Sequence, residues 1–409
     1  MRQLLLPMML TSSLLAEFDV KGFVALDSQV YLTHPAQKHG QNFTLQQQLE
    51  MTYSEGDFEV VSLLNAQLDS YDFFGNEENK RTFIRLDELY GKYNLENDMV
   101  TLGRNVYFWG ALEVRNIVDG FNPEDLRNDP FETDKMGVMN AQYSHYTESG
   151  EFSVIVKFEE RDQKMADFPY VYYFFPLFVH YEDTLQSESS RYRPTLYVSY
   201  SGSTDTEYAV DYALILQHGY DSQRYYRADD PLVGTPVNFQ QHAYLVNKVS
   251  TYNTMVVADT LLKVEALYAD VIDDPNISDY LHLGLGVEHT LTQLVGEADL
   301  GLIAEYYYYD TFESAKYTDL ELFEIFQNDL FIGGRYSFND SDSSSIIGGA
   351  VLDLDYNEQS YYVEYETRMA DVLKVHFDYR YIEPSKDALT AFHLLGRHQR
   401  VGLNLVYYF

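Results

Sequence analysis

From Phe18 to the end of the chain, apolar and polar residues alternate with a period of two and almost nowhere with the 3.6 period of a helix. Phe18, Val20, Gly22, Val24, Leu26, Ser28, Val30 and Leu32 share one face, opposite Asp19, Lys21, Asp27 and Gln29. Next, Phe43, Leu45, Leu49, Met51 and Tyr53 oppose Thr44, Gln46, Gln48 and Glu50, and the tetrapeptide SEGD at 54–57 turns the chain into a third run, 58–69. Later runs lie near 82–95, 98–107, 137–147, 151–161, 193–202, 206–218, 238–252, 254–270, 279–291, 295–309, 328–339, 345–356, 359–370, 372–384 and 398–409. The pattern predicts about 18 strands of roughly ten residues, the length a tilted strand needs to cross a hydrocarbon layer.

The connections alternate in length. Tight turns are expected at SEGD, at 96–98, at TESG from Thr147, at GSTDT from Gly202, at Asn253, near Thr292, at NDSDSSS from Asn339 and at Ala370. Longer loops fall between them, near 33–41, 70–81, 108–136, 162–192, 219–237, 271–278, 310–327 and 385–397, with one short exception around Asn357. Short turns on one side and long loops on the other are the signature of a closed up-and-down barrel in an outer membrane, both termini on the short-turn side. No repeat of fixed period supports a propeller.

Charge sorts by face. Tyr361, Val363 and Tyr365 are expected outward, with Tyr362, Glu364, Glu366 and Arg368 inward. Leu373, Val375, Phe377, Tyr379 and Tyr381 oppose Lys374, His376, Asp378 and Arg380. Leu262, Val264, Ala266 and Tyr268 oppose Lys263 and Glu265, and Phe152, Val154, Val156 and Phe158 oppose Lys157, Glu159 and Arg161. Lys157, Lys263, Arg335, Arg368, Lys374, Arg380 and Arg400 are thus read as a basic ladder on a polar, densely charged inner wall. A soluble sandwich would carry its polar face outside, so other features must choose between the two.

Composition is one of them. The chain has 38 Tyr and 25 Phe against a single Trp, which suits two membrane–water interfaces. It has no Cys, which excludes disulfides, thiolate metal sites and a Cys nucleophile. Its 64 acidic against 28 basic residues disfavour nucleic acid as a partner. The start, MRQLLLPMMLTSSLLA, places Arg2 before a short apolar run ending at Ala16 and reads as a signal peptide over 1–16, leaving 17–409 as one domain. No run of about 20 apolar residues follows, so a membrane-spanning form must be a closed barrel.

The last residues, His398 to Phe409, place Val401, Leu403, Leu405, Tyr407 and Phe409 on one face of a final strand. This ending resembles the closing strand of bacterial outer-membrane β-barrels, whose terminal aromatic residue is part of the signal read by the barrel-assembly machinery. That resemblance implies the machinery, outer-membrane lipid and lipopolysaccharide as partners.

Periodicity stops after the stretch GRNVYFWG at 103–110 and returns only past Phe131. Pro123, Pro130 and Gly120 suit a compact loop, with a short helix expected at 123–127, Asn122 as its cap and Glu124 and Asp125 in its first turn. Arg104 falls by parity on the lipid side unless Gly103 makes a bulge. Leu102, Gly103, Arg104, Trp109, Gly110, Asn122, Pro123, Asp125, Leu126 and Arg127 together resemble a stretch of large substrate-transporting outer-membrane porins of the alginate-export type. The resemblance covers some thirty residues and implies a barrel constricted by this loop, at about 109–136. Arg104, Trp109, Glu113, Arg115, Asp119, Asn122, Pro123, Glu124, Asp125 and Arg127 are the candidate constriction residues. A second loop holds FPYVYYFFPLFVHYED, 168–183, read either as a stacking platform for a solute or as packing of an in-folded segment.

Loop acids Glu113, Asp119, Glu124 and Asp125 facing the basic ladder would set up a transverse field across the lumen. The excess of acids predicts a preference for cations or neutral solutes. No GxSxG, HExxH, Walker or CxxCH motif is present, no His set is singled out by a local signature, and the acidic runs at 270–279 and 340–345 match no EF-hand. The expectation is an all-β, transmembrane antiparallel barrel of about 18 strands acting as a passive porin for small hydrophilic solutes, without catalytic residues, metal or cofactor. A structural or adhesive barrel, or a barrel hydrolase, is the alternative.

Overall fold

The computed structural model describes residues 16–34, 38–74, 80–132, 134–173, 175, 179–187, 189–228, 237–312 and 324–409. The expected signal segment lies outside the described residues except for Ala16. In chain order the strands begin with β1 (Glu17–Thr33), β2 (Gln41–Glu55), β3 (Phe58–Asp69), β4 (Phe83–Asn94), β5 (Asp98–Asn105), β6 (Asp125–Leu126), β7 (Val138–Thr147) and β8 (Gly150–Lys157). There follow β9 (Lys164–Met165), β10 (Val179–Ser187), β11 (Thr195–Ser203), β12 (Val210–Tyr220), β13 (Tyr225–Ala228), β14 (Val237–Ala243), β15 (Leu245–Val257) and β16 (Thr260–Ile272). The last are β17 (Tyr280–Val295), β18 (Ala298–Thr311), β19 (Asn328–Ser337), β20 (Ser345–Asp353), β21 (Gln359–Met369), β22 (Leu373–Glu383) and β23 (His398–Tyr408).

Eighteen of them form one sheet in which each strand pairs antiparallel with its neighbours along the chain, omitting β6, β9, β10, β13 and β14. The sheet closes where β1 pairs with β23, Val24 opposite Tyr407 and Val30 opposite Val401. Closure removes the two edges whose unpaired backbone a bilayer would not tolerate. At the seam Phe409 and Gly22 exchange backbone hydrogen bonds of 3.0 and 3.1 Å. A side chain at Gly22 would stand 2.2 Å from the Gln48 carbonyl oxygen, which is why glycine occupies this close approach.

Outward positions are apolar and exposed. Leu89, Leu102, Leu214, Leu216, Val249, Leu302, Ile332 and Val363 form the band, with Phe18, Phe58, Tyr93, Tyr146, Tyr407 and Phe409 toward the turn end and Phe43, Tyr268, Tyr308, Phe312 and Tyr361 toward the loop end. Aromatic rings flanking an aliphatic band match the two interfaces of a membrane. Among the described residues no helix is long and apolar enough to cross one.

Two turns differ from expectation. The turn expected at Asn253 lies at Ala258 and Asp259, because Asn253 stays in the ladder between Tyr212 and Val264 and donates its side-chain amide to Thr251 Oγ1 at 3.0 Å. Likewise β17 runs past Thr292 to Val295, and Gly296, with φ of 66°, makes the turn. The segment expected from 238 splits, since 237–243 belongs to a separate three-stranded sheet with β10 and β13, and the barrel strand starts at Leu245. The remaining turns and long loops alternate as the periodicity predicts.

Candidate functional site

The loop between β5 and β7 is built around Asn122. Its side chain accepts from the Tyr107 amide at 2.8 Å and donates to the carbonyls of Asn105 and Met136 at 3.0 Å each. No helix forms here. Asn122 ties the two ends of the loop together instead of capping, and Asp125 and Leu126 pair as a short parallel bridge with Lys164 and Met165. Phe121 is fully buried beside Trp109, Tyr107 and Tyr197, with Ile155, Val138 and Ile215 around it. The inner wall is therefore not uniformly polar; apolar residues face inward where the loop packs on them.

From that anchor the chain crosses the lumen. The Glu265 carboxylate on β16 accepts from the amides of Ala111, Leu112 and Val118 at 2.5, 3.0 and 3.3 Å. Glu305 on β18 accepts from those of Glu113 and Val114 at 2.7 and 3.1 Å, and the Tyr307 hydroxyl accepts from Arg115 at 3.1 Å. Both carboxylates are buried. Glu113 then pairs with Arg335 on β19, the strand diametrically opposite β5 in the ring of 18. Two wall carboxylates thus hold five backbone N–H groups that the loop itself leaves unpaired, which meets the rule that a buried amide needs an acceptor.

On its return the loop is gripped by arginines. Asp125 meets Arg85 on β4 and its own neighbour Arg127. Burial pushes the Asp125 carboxyl up, but Arg127 and Arg85 outweigh it and hold it below the usual carboxylate value. Asp129 meets Arg400 on β23 and Arg380 on β22. At the exit Gly137 lies so close to β4 that a Cβ would come within 1.7 Å of the Asp87 carbonyl oxygen. Asp87 is the bulged residue of β4, held between the paired Leu86 and Glu88, so relief requires one of the two backbones to shift and Gly137→Ala is expected to cost about 1–3 kcal/mol in urea unfolding of the refolded barrel.

The other candidate residues are placed as follows. Arg115 pairs with Glu124 at 3.1 Å and Asp119 with Lys135, so these acids are met within the loop and not by the wall. Burial raises the Asp119 carboxyl despite Lys135 beside it. Lys263 pairs with Glu288 at 3.2 Å, Lys374 with Glu366 at 2.6 Å, and His376 stands 3.7 Å from Glu364. Asp378 holds Arg400 at 2.9 Å, while Arg368 is exposed at the turn end. Lys157 pairs with Glu160 at 2.5 Å; Glu159, expected on the same inward face, meets the outward Arg104 instead, because β8 leaves the ladder after Lys157. Pro123 accepts the Met136 amide at 2.9 Å through its carbonyl.

Arg104 is the departure. No bulge displaces Gly103, and Arg104 remains in register opposite Leu89 and Met139, both exposed on the outer face. Its guanidinium lies 3.3 Å from Glu159 at the loop-side rim.

Beside the crossing loop is a cavity of about 90 Å³, lined by Trp109, Arg115, Asp221, Lys248, Tyr280 and Glu324 among others. Asp221 accepts from Lys248 at 2.6 Å and from the Tyr280 hydroxyl at 2.5 Å. Of the second loop, Tyr170, Val171 and Tyr172 are buried against Tyr31, Ile382, Phe392 and Leu395. These three residues pack as an in-folded segment, and the Tyr170 and Tyr172 rings present no open stacking face; residues 174 and 176–178 of the loop lie outside the described residues. Glu305, Asp129, Arg85, Glu160 and Asp221 were not singled out by sequence, and inward parity was the one signal that marked Glu305.

No protein-family model matches the chain, and neither does any curated protein. Solved structures do. OccK5 (OpdH) of Pseudomonas aeruginosa aligns with a TM-score of 0.52 and 9% identity over 96% of this chain and 97% of its own. A BenF-like porin from Pseudomonas fluorescens Pf-5 aligns with a TM-score of 0.56 and 8% identity over 97% and 99%. Wzi of Escherichia coli, described as a carbohydrate-binding β-barrel involved in group 1 capsule assembly, aligns with a TM-score of 0.52 and 8% identity over 96% and 84%. At such identities the likeness is one of fold: a large outer-membrane porin-type barrel.

Proposed function

We propose that the protein is an outer-membrane channel for passive passage of small hydrophilic solutes, narrowed by the loop at 106–137. The observation that carries this reading is the path of that loop, which leaves β5, reaches β19 on the far wall and returns to β4, β22 and β23 inside a barrel with an apolar exterior. A structural barrel has no need to hold a loop across its bore by its backbone. The acid excess of the chain favours cations and neutral solutes over anions. Lipid and lipopolysaccharide surround the barrel in this reading, and the strand ending in Phe409 is what the assembly machinery engages.

Single-channel recording on the refolded chain from residue 17 in a planar bilayer tests the proposal. Steady conductance with a reversal potential of cation sign under a salt gradient is expected. A folded barrel that stays silent would overturn the channel reading, and a reversal potential of anion sign would overturn the selectivity.

A further inference from the structure

At the loop end of the barrel, where β19 begins and β20 ends, two carboxylates face each other. Asp329 and Asp353 are directly opposite in the antiparallel ladder, which places their Cβ atoms about 4.5–5.5 Å apart. Burial alternates through Gln327, Asp329 and Phe331 and through Val351 and Asp353, so both acids lie on the inner face, 1% and 7% exposed. Among the described residues no Lys, Arg or His stands within ion-pair distance of either, and Glu324 adds a further negative charge within electrostatic reach of Asp329. Like charges directly opposite destabilise a sheet, and a buried charge is costly unless it is paired. The acids that grip the crossing loop differ, since each meets amides or guanidinium groups.

A third oxygen stands beside the pair. Gln327 is 5% exposed, and its side-chain nitrogen donates to Asp353 Oδ2 at 3.0 Å. That bond fixes which way the amide is turned, because the reverse orientation would set its oxygen against the carboxylate. The Gln327 Oε1 atom, bonded to the same carbon, is therefore held next to Asp353, and it is buried with no hydrogen-bond donor. Asp353 Oδ1 accepts the amides of Asp355 and Tyr356 at 2.7 and 2.6 Å, which leaves Oδ2 as the oxygen turned toward Gln327. Three hard oxygens, with acids and no base beside them, have the chemistry of a cation site.

We infer that Asp329, Asp353 and Gln327 bind a divalent cation of the calcium type through the two carboxylates and the amide oxygen. Calcium accepts a flexible shell of oxygens from carboxylates, amides and water. Among the described residues no group of three His, Asp or Glu side chains is placed to hold a metal by itself, so water fills the remaining positions and Kd falls in the range of about 10⁻⁴–10⁻³ M. The ion joins the start of β19 to the turn between β20 and β21, where the Asp353 amide donates to the Glu358 carbonyl at 3.0 Å and the Leu354 amide to the Asn328 carbonyl at 2.9 Å. The site does not rest on the channel reading.

The test titrates calcium chloride into the refolded chain from residue 17, stripped of divalent ions with EDTA and held in zwitterionic detergent. Heat of binding and unfolding temperature are both read. The unaltered chain should show saturable heat and a raised unfolding temperature, and magnesium, which dehydrates reluctantly, should give a weaker response. Asp329→Asn should lose the calcium response, whereas Asp342→Asn, at an exposed turn acid outside the site, should keep it. The Asp329→Asn substitution also relieves the repulsion with Asp353, so in EDTA that variant should unfold at a higher temperature than the unaltered chain, which also shows that it folds. Calcium should shrink this advantage. Equal calcium responses in the unaltered chain and Asp329→Asn would overturn the site. So would an unaltered chain that ignores calcium, since the two acids would then share a proton instead. No conductance enters the test, so its failure and that of the channel proposal are distinguished.

Discussion

Conductance is expected to rise when Glu265 and Glu305 are both replaced by alanine. These two carboxylates accept five loop amides, from Ala111, Leu112, Glu113, Val114 and Val118. A hydrogen bond to a charged group contributes about 1.5–3 kcal/mol net, so losing one such contribution per carboxylate weakens docking by about 3–6 kcal/mol. That corresponds to a factor of roughly 10²–10⁴ in the ratio of docked to released loop. Two effects oppose each other here. Removing the buried charges also removes their desolvation cost, which reduces the loss; yet the amides left behind have no other acceptor among the described residues, and water must enter to satisfy them. Release therefore wins, and it widens the bore. Single-channel recording checks it, with Glu364→Gln as the control: that carboxylate faces the lumen near His376 and contributes no acceptor to the loop. An unchanged conductance in the double variant, with the barrel folded, would show that the loop does not limit flow.

The wall was legible in the sequence and the loop was not, for a physical reason. A strand declares its two faces locally, because neighbours at i and i+2 see the same solvent. Leu262 and Val264 against Lys263 and Glu265 could be sorted without knowing what lay across the lumen. Parity placed Arg104 on the outer face, and its assignment to the constriction, which needed a bulge at Gly103, fails because none occurs. The path of the loop, by contrast, depends on partners such as Ala111 and Glu265, 154 positions apart in the chain. Asn122 before Pro123 has the local chemistry of a helix cap, and only the distant Asn105 and Met136 carbonyls make it a staple. Asn253 misled in the same way, because pairing with Tyr212 and Val264 on the two neighbouring strands keeps it inside a continuous ladder where its own chemistry suits a turn. Where a polar residue finds its partner along the chain, sequence shows it; where the partner is across the barrel, only the fold does.

Asp129 is the position at which one substitution should cost the most stability. Its carboxylate receives Arg400, receives Arg380 at 3.3 Å and accepts the Phe131 amide at 2.9 Å. With Asp129→Asn, Arg400 keeps Asp378 at 2.9 Å, but among the described residues Arg380 keeps no other carboxylate within ion-pair distance and rests on the Phe131 ring, 4.8 Å from its guanidinium carbon. Removing one partner of a buried pair leaves an uncompensated charge, at a cost of about 3–5 kcal/mol. Urea unfolding of the refolded barrel would measure it. The pH dependence separates charge from packing. Burial pushes the Asp129 carboxyl up, but Arg380 and Arg400 prevail and hold it below its ordinary value of 3.8. A carboxyl with a depressed folded pKa contributes its full stability above the unfolded value and loses it as pH falls through the folded one. The difference between the unaltered chain and the variant should therefore be constant at neutral pH and shrink below about pH 4. A difference that stays the same at low pH would place the cost in the packing around the loop and not in the ion pair.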